Sequence, residues 1–338
     1  MGRILSIPHL APKWGPINGT INMESVNFKQ KSNYWRVFVL CFATAVLLFL
    51  PHCIMDAVAG GGYFHYAGDF NDQQINFYQY ANAFIKQGGT FSWATDLGSG
   101  FVNSYSFYLL GSPFFWLSML VPAKFMPWAM VPLLCLKMAL AGGGAYLWAR
   151  RWVQDERWSM LAGCLYAFSG FSIYNIFFNH FHEAIIVFPL LLAALDEYMY
   201  TKRRGIFALM VAAACIVNYY FFVGMVTFTV IYFFVRLLSG SWHITVKDFL
   251  LLALEAVLGL GIACILLVPS VLCIIQNYRV SNPISGWSAL LYDRNQRYIH
   301  ILQCLFFPPD LPARPNFTPD SESKWASLGA WLPMFSMT

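Results

Sequence analysis

Long apolar runs separated by short polar connections dominate the chain from about residue 37 onward. A helix needs about 20 apolar residues to cross the hydrocarbon core of a bilayer. Runs close to that length cover about residues 37–55, 105–122, 127–149, 158–177, 184–200, 205–219, 220–238 and 249–274. The pattern predicts an all-α polytopic integral membrane protein, whose first partner is the lipid bilayer.

The composition strengthens this prediction. Hydrophobic residues make up 58% of the chain and charged residues only 11%, whereas a soluble globular protein carries about 25% charged residues. A soluble fold of this size could not cover its surface with so little charge. The net charge of +5 is modest and the cations occur in short clusters, so nucleic acid is not indicated as a partner.

Three basic clusters predict which connections face the cytoplasm. They are Arg150 with Arg151 and Arg157, residues 202–204, and Arg236 with Lys247. With the basic residues before the first run, they place the N-terminus in the cytoplasm and predict six segments. These are a cytoplasmic tail (1–34), a first transmembrane helix (35–56), an external loop with amphipathic and re-entrant segments (57–126), a helical transmembrane bundle (127–275), an external Pro-rich loop (276–325) and the start of a truncated transmembrane helix (326–338).

Two stretches of the chain cannot be single crossing helices if every basic cluster is to face the same side of the membrane. The run 105–122 is interrupted by Gly111-Ser112-Pro113, and a full crossing there would put Arg150 outside. We therefore interpret it as re-entrant or as lying in the outer interface. The stretch 205–238 must then be a hairpin with its apex near Asn218, although a single long tilted helix is the alternative.

The polar residues with potential chemistry gather on the predicted external side. Asp69, Asp72, Gln73 and Gln74 open an amphipathic segment of the first loop, where the acids are either helix caps or chemical groups. His180, His182 and Glu183 lie between two apolar runs. Their H-x-H-E spacing suits either a metal site or a polar turn that ends two helices. The metal is unknown, and a divalent cation remains an open alternative.

Lys137 lies in the middle of an apolar run. A charged side chain at that depth costs at least about 2.5–3.5 kcal/mol on insertion scales, so Lys137 needs a partner or a wet cavity. The alternative is a lysine that snorkels to the interface. The sequence contains no nucleotide-binding, zinc-protease or serine-hydrolase motif, so no motif of a soluble enzyme indicates its function.

Several motifs, in order along the chain, resemble the bacterial YfhO membrane protein family. They are Gly68-Asp69-Phe70-Asn71 with Gln73-Gln74, the stretch 106–114, the stretch 165–170, the stretch 179–183 and the proline-rich 308–312. The family is grouped with the GT-C glycosyltransferases, which use lipid-phosphate-linked sugars outside the membrane. The resemblance therefore implies a GT-C-like helix bundle whose long first external loop carries juxtamembrane helices and an essential acid.

The resemblance also implies a function and a set of site residues. It implies a glycosyltransferase that moves a sugar from a polyprenyl-phosphate donor to a cell-envelope glycopolymer acceptor, such as teichoic or lipoteichoic acid, on the external face of the cell membrane. Asp69 matches the family's Gly-Asp motif and is the first candidate for the catalytic residue; Asp72 is the second. The residues expected to bind substrate are Gln73, Gln74, Lys137, His180, His182, Glu183, Arg294 and Arg297.

Two other classes of function remain open from the sequence. A transporter or flippase of lipid-linked sugars would also use ionisable groups inside the membrane, and it would be expected to show internal repeats, which the sequence lacks. A non-catalytic scaffold for envelope assembly is the other alternative.

Overall fold

The computed structural model describes residues 32–66 and 68–275, together with residues 287, 291, 298 and 299. That part of the chain is helical and contains no strand. Six of its helical segments are long and apolar enough to cross a membrane, which confirms the predicted all-α polytopic membrane protein. Most of the predicted cytoplasmic tail, almost all of the Pro-rich loop and the predicted truncated helix lie outside the described residues.

The helices α1 to α11 follow one another along the chain, with short π and 3₁₀ segments between some of them. Their bounds are Tyr34–Val58 (α1), Asn76–Lys86 (α2), Phe101–Tyr105 (α3), Pro113–Ser118 (α4), Met126–Ala149 (α5), Glu156–Ala167 (α6), Gly170–Tyr174 (α7), His182–Thr201 (α8), Ile206–Val217 (α9), Tyr219–Leu238 (α10) and Val246–Ile275 (α11). The π-helices Phe70–Ile75 and Ser106–Leu110 precede α2 and follow α3, respectively.

Helix α5 lies at the centre of the bundle, and its glycines allow neighbouring helices to approach closely. A Cβ atom at Gly142 would lie 2.5 Å from Cys41 Sγ, and one at Gly163 would lie 2.6 Å from the Gly142 carbonyl oxygen. Small residues at such contacts let helix backbones pack tightly in membranes. The glycines of the run 142–144 therefore serve helix packing.

The basic clusters all lie at one end of the bundle, which we call the basic end. Contacts among the termini of α1, α5, α8, α10 and α11 show this. They are Asn33 N to Tyr146 Oη at 2.8 Å, Arg151 to Glu197 at 3.0 Å, Arg236 to Tyr200 Oη at 2.7 Å and Lys202 to Asp248 at 3.5 Å. The opposite end, reached by residues 59–122, is called the loop end. A cytoplasmic basic end and an external loop end remain predictions.

A buried carboxylate that sequence reasoning missed also joins helices near the basic end. Asp196 of α8 accepts hydrogen bonds from Trp148 Nε1 of α5 at 3.1 Å and from Tyr232 Oη of α10 at 2.9 Å. The side chain is fully buried, so these two donors replace the water that a carboxylate would otherwise bind. Asp196 therefore cross-links three helices and is best explained as a structural residue.

Helices α9 and α10 form the predicted hairpin, with Asn218 between them. Helix α9 has 12 residues, which span about 18 Å, less than the roughly 30 Å of a bilayer core. Helix α10 then runs back beside α8: the Phe221 ring meets the Phe181 ring at one end, and Arg236 meets Tyr200 at the other. The alternative of one long tilted helix is therefore wrong.

The run 105–122 does not form a single crossing helix. It consists of the π-helix Ser106–Leu110, a break at Gly111-Ser112 and the six-residue α4, all too short to span a bilayer. At the break, a Cβ on Gly111 would lie 1.8 Å from the Ile216 carbonyl oxygen near the end of α9. Only glycine permits this contact, which packs the interrupted segment against the α9–α10 hairpin.

Candidate functional site

A cluster of buried polar side chains lies toward the loop end of the bundle, where five separate segments meet. We call it the loop-end polar cluster; its members are Gln74, Ser112, Lys137, Asn179, His180 and Glu183. They come from the first π-helix, the break before α4, the middle of α5, the 3₁₀ turn Asn179–Phe181 and the start of α8. Residues far apart in sequence thus form one buried site.

An ion pair forms the core of this cluster. Lys137 Nζ lies 2.7 Å from Glu183 Oε1, and the exposed fractions of the two side chains are 0% and 1%. The same ammonium donates to the backbone oxygen of Asn179 at 3.0 Å and to its side-chain oxygen at 3.2 Å. An ammonium has three N–H donors, so these oxygens match them one for one. Lys137 is therefore paired inside the bundle and does not snorkel.

Ser112 connects the interrupted segment to this ion pair. Its Oγ donates to Glu183 Oε1 at 2.6 Å and accepts from the Phe115 amide at 3.0 Å, which caps α4. The Phe114 ring of the same helix lies 5.0 Å from Lys137 Nζ, in a cation–π contact. A serine before proline signals a helix start, but nothing local in the sequence points to the distant Glu183.

His180 belongs to the same cluster but bonds in a different direction. Its Nδ1 lies 3.3 Å from Gln74 Oε1, and Gln74 Nε2 donates to Gln73 Oε1 at 3.3 Å. The centroids of the Phe107 and Tyr108 rings each lie 4.9 Å from that of the imidazole. The structure thus brings together the predicted residues Gln73, Gln74 and His180, in a setting that is mostly aromatic.

The H-x-H-E residues do not converge on one point. His182 Nε2 bonds to the Ser172 carbonyl oxygen at 2.7 Å, His180 faces Gln74 and Glu183 faces Lys137. Their side chains diverge because the chain passes from a 3₁₀ turn into α8 at this point. No group of three or more His, Cys, Asp and Glu residues within the described part of the chain is arranged to hold a metal ion.

The two loop aspartates differ in position. Asp69 is half-buried directly before the π-helix Phe70–Ile75, and its side chain makes no capping bond to the helix amides. Asp72 is exposed on the first turn of that helix. Burial raises the pKa of the Tyr108 phenol, and the charge of Asp69 raises it further. Asp69 is therefore electrostatically coupled to a ring that also contacts His180.

Two π-helical segments belong to this part of the molecule. The first, Phe70–Ile75, follows Asp69, and the second, Ser106–Leu110, contains Tyr108. The Phe77 ring, at the start of α2 just past the first segment, contacts the Tyr108 ring of the second, with ring centroids 5.0 Å apart. Single π-helical turns within helices occur frequently at functional sites. Arg294 and Arg297, the remaining predicted binding residues, lie outside the described residues.

The chain was compared with known proteins. A family model described as bacterial membrane protein YfhO matches residues 40–303. No match is found among curated proteins or among solved structures. The matched range includes the first loop with Asp69, the interrupted segment, most of α1 and all of α2 to α11. The chain therefore belongs to the bacterial membrane protein YfhO family.

Proposed function

We propose that the protein is a membrane glycosyltransferase of GT-C type, which transfers a sugar from a polyprenyl-phosphate donor to a cell-envelope glycopolymer such as teichoic acid on the external face. The observation that carries the proposal is the position of Asp69. This half-buried carboxylate directly precedes the π-helix that carries Gln73 and Gln74, at the end of the bundle reached by the long first loop. Its charge raises the pKa of the Tyr108 phenol, and the Tyr108 ring contacts His180. Family membership and the helical architecture support the same function.

In the proposed reaction Asp69 acts as the general base. The acceptor hydroxyl gives its proton to the carboxylate while its oxygen attacks the anomeric carbon of the donor sugar. The bond between that carbon and the phosphate oxygen breaks, and the lipid phosphate leaves with the electron pair. General-base catalysis requires the carboxylate within hydrogen-bond reach of the hydroxyl. Asp72 is the second candidate, because it lies one turn away on the exposed side of the same π-helix.

The leaving phosphate must be stabilised as negative charge develops on it. Lys137 is fully engaged by Glu183 and Asn179, so we assign it a positioning role: it holds the turn that bears His180. Arg294 and Arg297 remain the proposed phosphate partners, together with the half-buried Gln73.

A flippase for lipid-linked sugars is the second candidate function. The observation in its favour is the buried Lys137–Glu183 ion pair, since ionisable groups inside a membrane bundle often mark transport pathways. The transferase is preferred because the polar cluster lies toward the loop end, and because its member Gln74 belongs to the π-helix that Asp69 directly precedes. A reaction at the membrane surface requires such a position.

One assay separates these functions. Membranes containing the full-length protein are supplied with a labelled polyprenyl-phosphate sugar, and labelled glycopolymer and lipid distribution between leaflets are measured together. Transfer of label to polymer supports the transferase. Movement of the labelled lipid between leaflets without transfer supports the flippase and contradicts the transferase. If neither transfer nor movement of the lipid is detected, a scaffold is favoured and both proposed activities are refuted.

A further inference from the structure

One nitrogen of the His180 ring is left without a partner in the middle of the site. Nδ1 lies 3.3 Å from Gln74 Oε1, whereas Nε2 has no hydrogen-bond partner within the described part of the chain. The residue is only 2% exposed. Because buried polar atoms are nearly always hydrogen-bonded, an unpartnered one beside a candidate active site indicates a group that a ligand completes.

The hydrogen bonds on the other side of the ring determine what Nε2 can bind. The Gln74 amide nitrogen donates to Gln73 Oε1 at 3.3 Å, which turns the Gln74 oxygen toward His180. A carbonyl oxygen only accepts, so Nδ1 of His180 carries the hydrogen. In a neutral imidazole Nε2 then holds a lone pair. An imidazolium would be unfavourable here, because the ring is enclosed mainly by apolar groups.

Aromatic rings form the wall around this lone pair. Their centroids lie 4.5 to 6.4 Å from that of the imidazole, and all four rings are half-buried. The rings are Phe107, Tyr108, Phe178 and Phe181. Apolar walls with a few placed polar atoms are typical of small-molecule sites. The negative faces of aromatic rings attract positively polarised hydrogens, such as those on the C–H faces of a pyranose.

We infer that His180 is a sugar-binding residue, whose Nε2 accepts a hydrogen bond from a hydroxyl of the donor sugar seated against the aromatic rings. This inference rests on the proposed function and names the part of the donor that His180 contacts. A hydroxyl has the hydrogen that a lone pair requires. An ionised phosphate has none to offer and would place its oxygens against that lone pair. His180 therefore binds the sugar, and other residues bind the phosphate.

Two substitutions separate the ring nitrogens. In His180→Asn the amide nitrogen can keep the hydrogen bond to Gln74, but nothing reaches the position of Nε2. In His180→Gln the longer side chain brings a carbonyl oxygen near the position of Nε2 and restores an acceptor. The full-length protein in detergent is titrated with farnesyl phosphates that bear glucose, galactose or N-acetylglucosamine, and with farnesyl phosphate itself.

The substitution His180→Asn should weaken the binding of sugar-bearing probes and leave the binding of farnesyl phosphate unchanged. The sugar-bearing probe that binds wild type best should bind His180→Asn about 10-fold more weakly, the loss for one hydrogen bond. His180→Gln should recover part of that affinity, and farnesyl phosphate should bind all three proteins equally. Equal binding of the sugar probe to wild type and His180→Asn would overturn the inference, whereas sugar transfer by wild type would still support the proposed function. Weaker binding of farnesyl phosphate to His180→Asn would also overturn it.

A second measurement uses wild type, so its main result does not depend on whether a variant folds. Wild type is titrated with monodeoxy analogues of the preferred sugar probe, each lacking one hydroxyl. One analogue should bind about 10-fold more weakly than the parent, and where His180→Asn folds, that analogue should be insensitive to the substitution. Uniform affinity across the series would overturn the inference. Wild type that binds no sugar probe and transfers no sugar would refute both the inference and the proposed function.

Discussion

Replacing Lys137 by methionine tests whether the ion pair holds the loop-end polar cluster together. The substitution removes the ammonium that lies 2.7 Å from Glu183 and leaves that carboxylate at 1% exposure, with Ser112 as its remaining hydrogen-bond donor in the described structure. Breaking a buried ion pair by removing one partner costs about 3–5 kcal/mol, whereas replacing both partners by apolar residues of similar size is often neutral. Lys137→Met should therefore be strongly destabilising, and the double variant Lys137→Met/Glu183→Met should be much closer to wild type.

The assay is thermal unfolding of the full-length protein in detergent, followed by the loss of the folded peak in size-exclusion chromatography. In proteins of 150–250 residues, each kcal/mol of lost stability lowers the melting temperature by about 2–4 °C. The single variant should therefore melt about 10 °C lower than wild type. Lys124→Met is the matched control, since Lys124 is exposed and surface substitutions usually change stability by less than about 0.5 kcal/mol.

Sugar transfer measured on the same proteins separates positioning from direct contact with phosphate. If Lys137 acts only through the turn that bears His180, the double variant should recover part of the transfer lost in Lys137→Met. A double variant that folds like wild type but transfers no sugar would show that the ammonium itself is needed. A single variant as stable as wild type would refute the claim that the pair stabilises the cluster.

Further predictions concern the interrupted segment and the orientation of the bundle. Gly111→Ala places a methyl group 1.8 Å from the Ile216 carbonyl oxygen and should destabilise the protein by about 1–3 kcal/mol, as measured by the same melting assay. Gly224→Ala is its control, since a Cβ there meets no atom within 4 Å; an equal loss in both variants would contradict the tight contact. In a cysteine-depleted background, a membrane-impermeant thiol reagent applied to intact cells should label a cysteine at Asp72 and spare one at Arg150. The opposite pattern would overturn the predicted orientation.

Much of the architecture could be predicted from the sequence because membrane crossings impose a length on apolar runs. The break at Asn218 follows from the same reasoning, since a stretch with basic residues at both outer ends can satisfy the positive-inside rule only by turning back. Lys137 was recognisable as a residue that needs a partner, because its charge lies in the middle of a helix that is otherwise apolar. These predictions rest on local sequence and on the bilayer as solvent.

The pairing inside the site could not be predicted, because it depends on contacts between distant parts of the chain. Glu183 stood in an H-x-H-E pattern that suited a metal, yet its carboxylate bonds to Lys137 and to Ser112, 71 positions away in sequence. The spacing of His180 and His182 says nothing about a 3₁₀ turn that directs the rings to Gln74 and to the Ser172 backbone. Only the packing of α4, α5 and α8 determines which groups meet.

The proposed chemistry depends most directly on the carboxylate of Asp69. The measurement is the rate of sugar transfer from a polyprenyl-phosphate donor by membranes containing Asp69→Asn, which keeps the side-chain shape and removes the charge. Loss of a general base lowers the rate by about 10²–10⁴-fold, and the Asp69 side chain makes no helix-capping bond that the substitution would remove. We predict normal expression in the membrane, transfer at least about 100-fold slower than wild type, and a milder effect for Asp72→Asn. Transfer by Asp69→Asn at the wild-type rate would contradict the account, and if Asp72→Asn alone were inactive, the base would be Asp72.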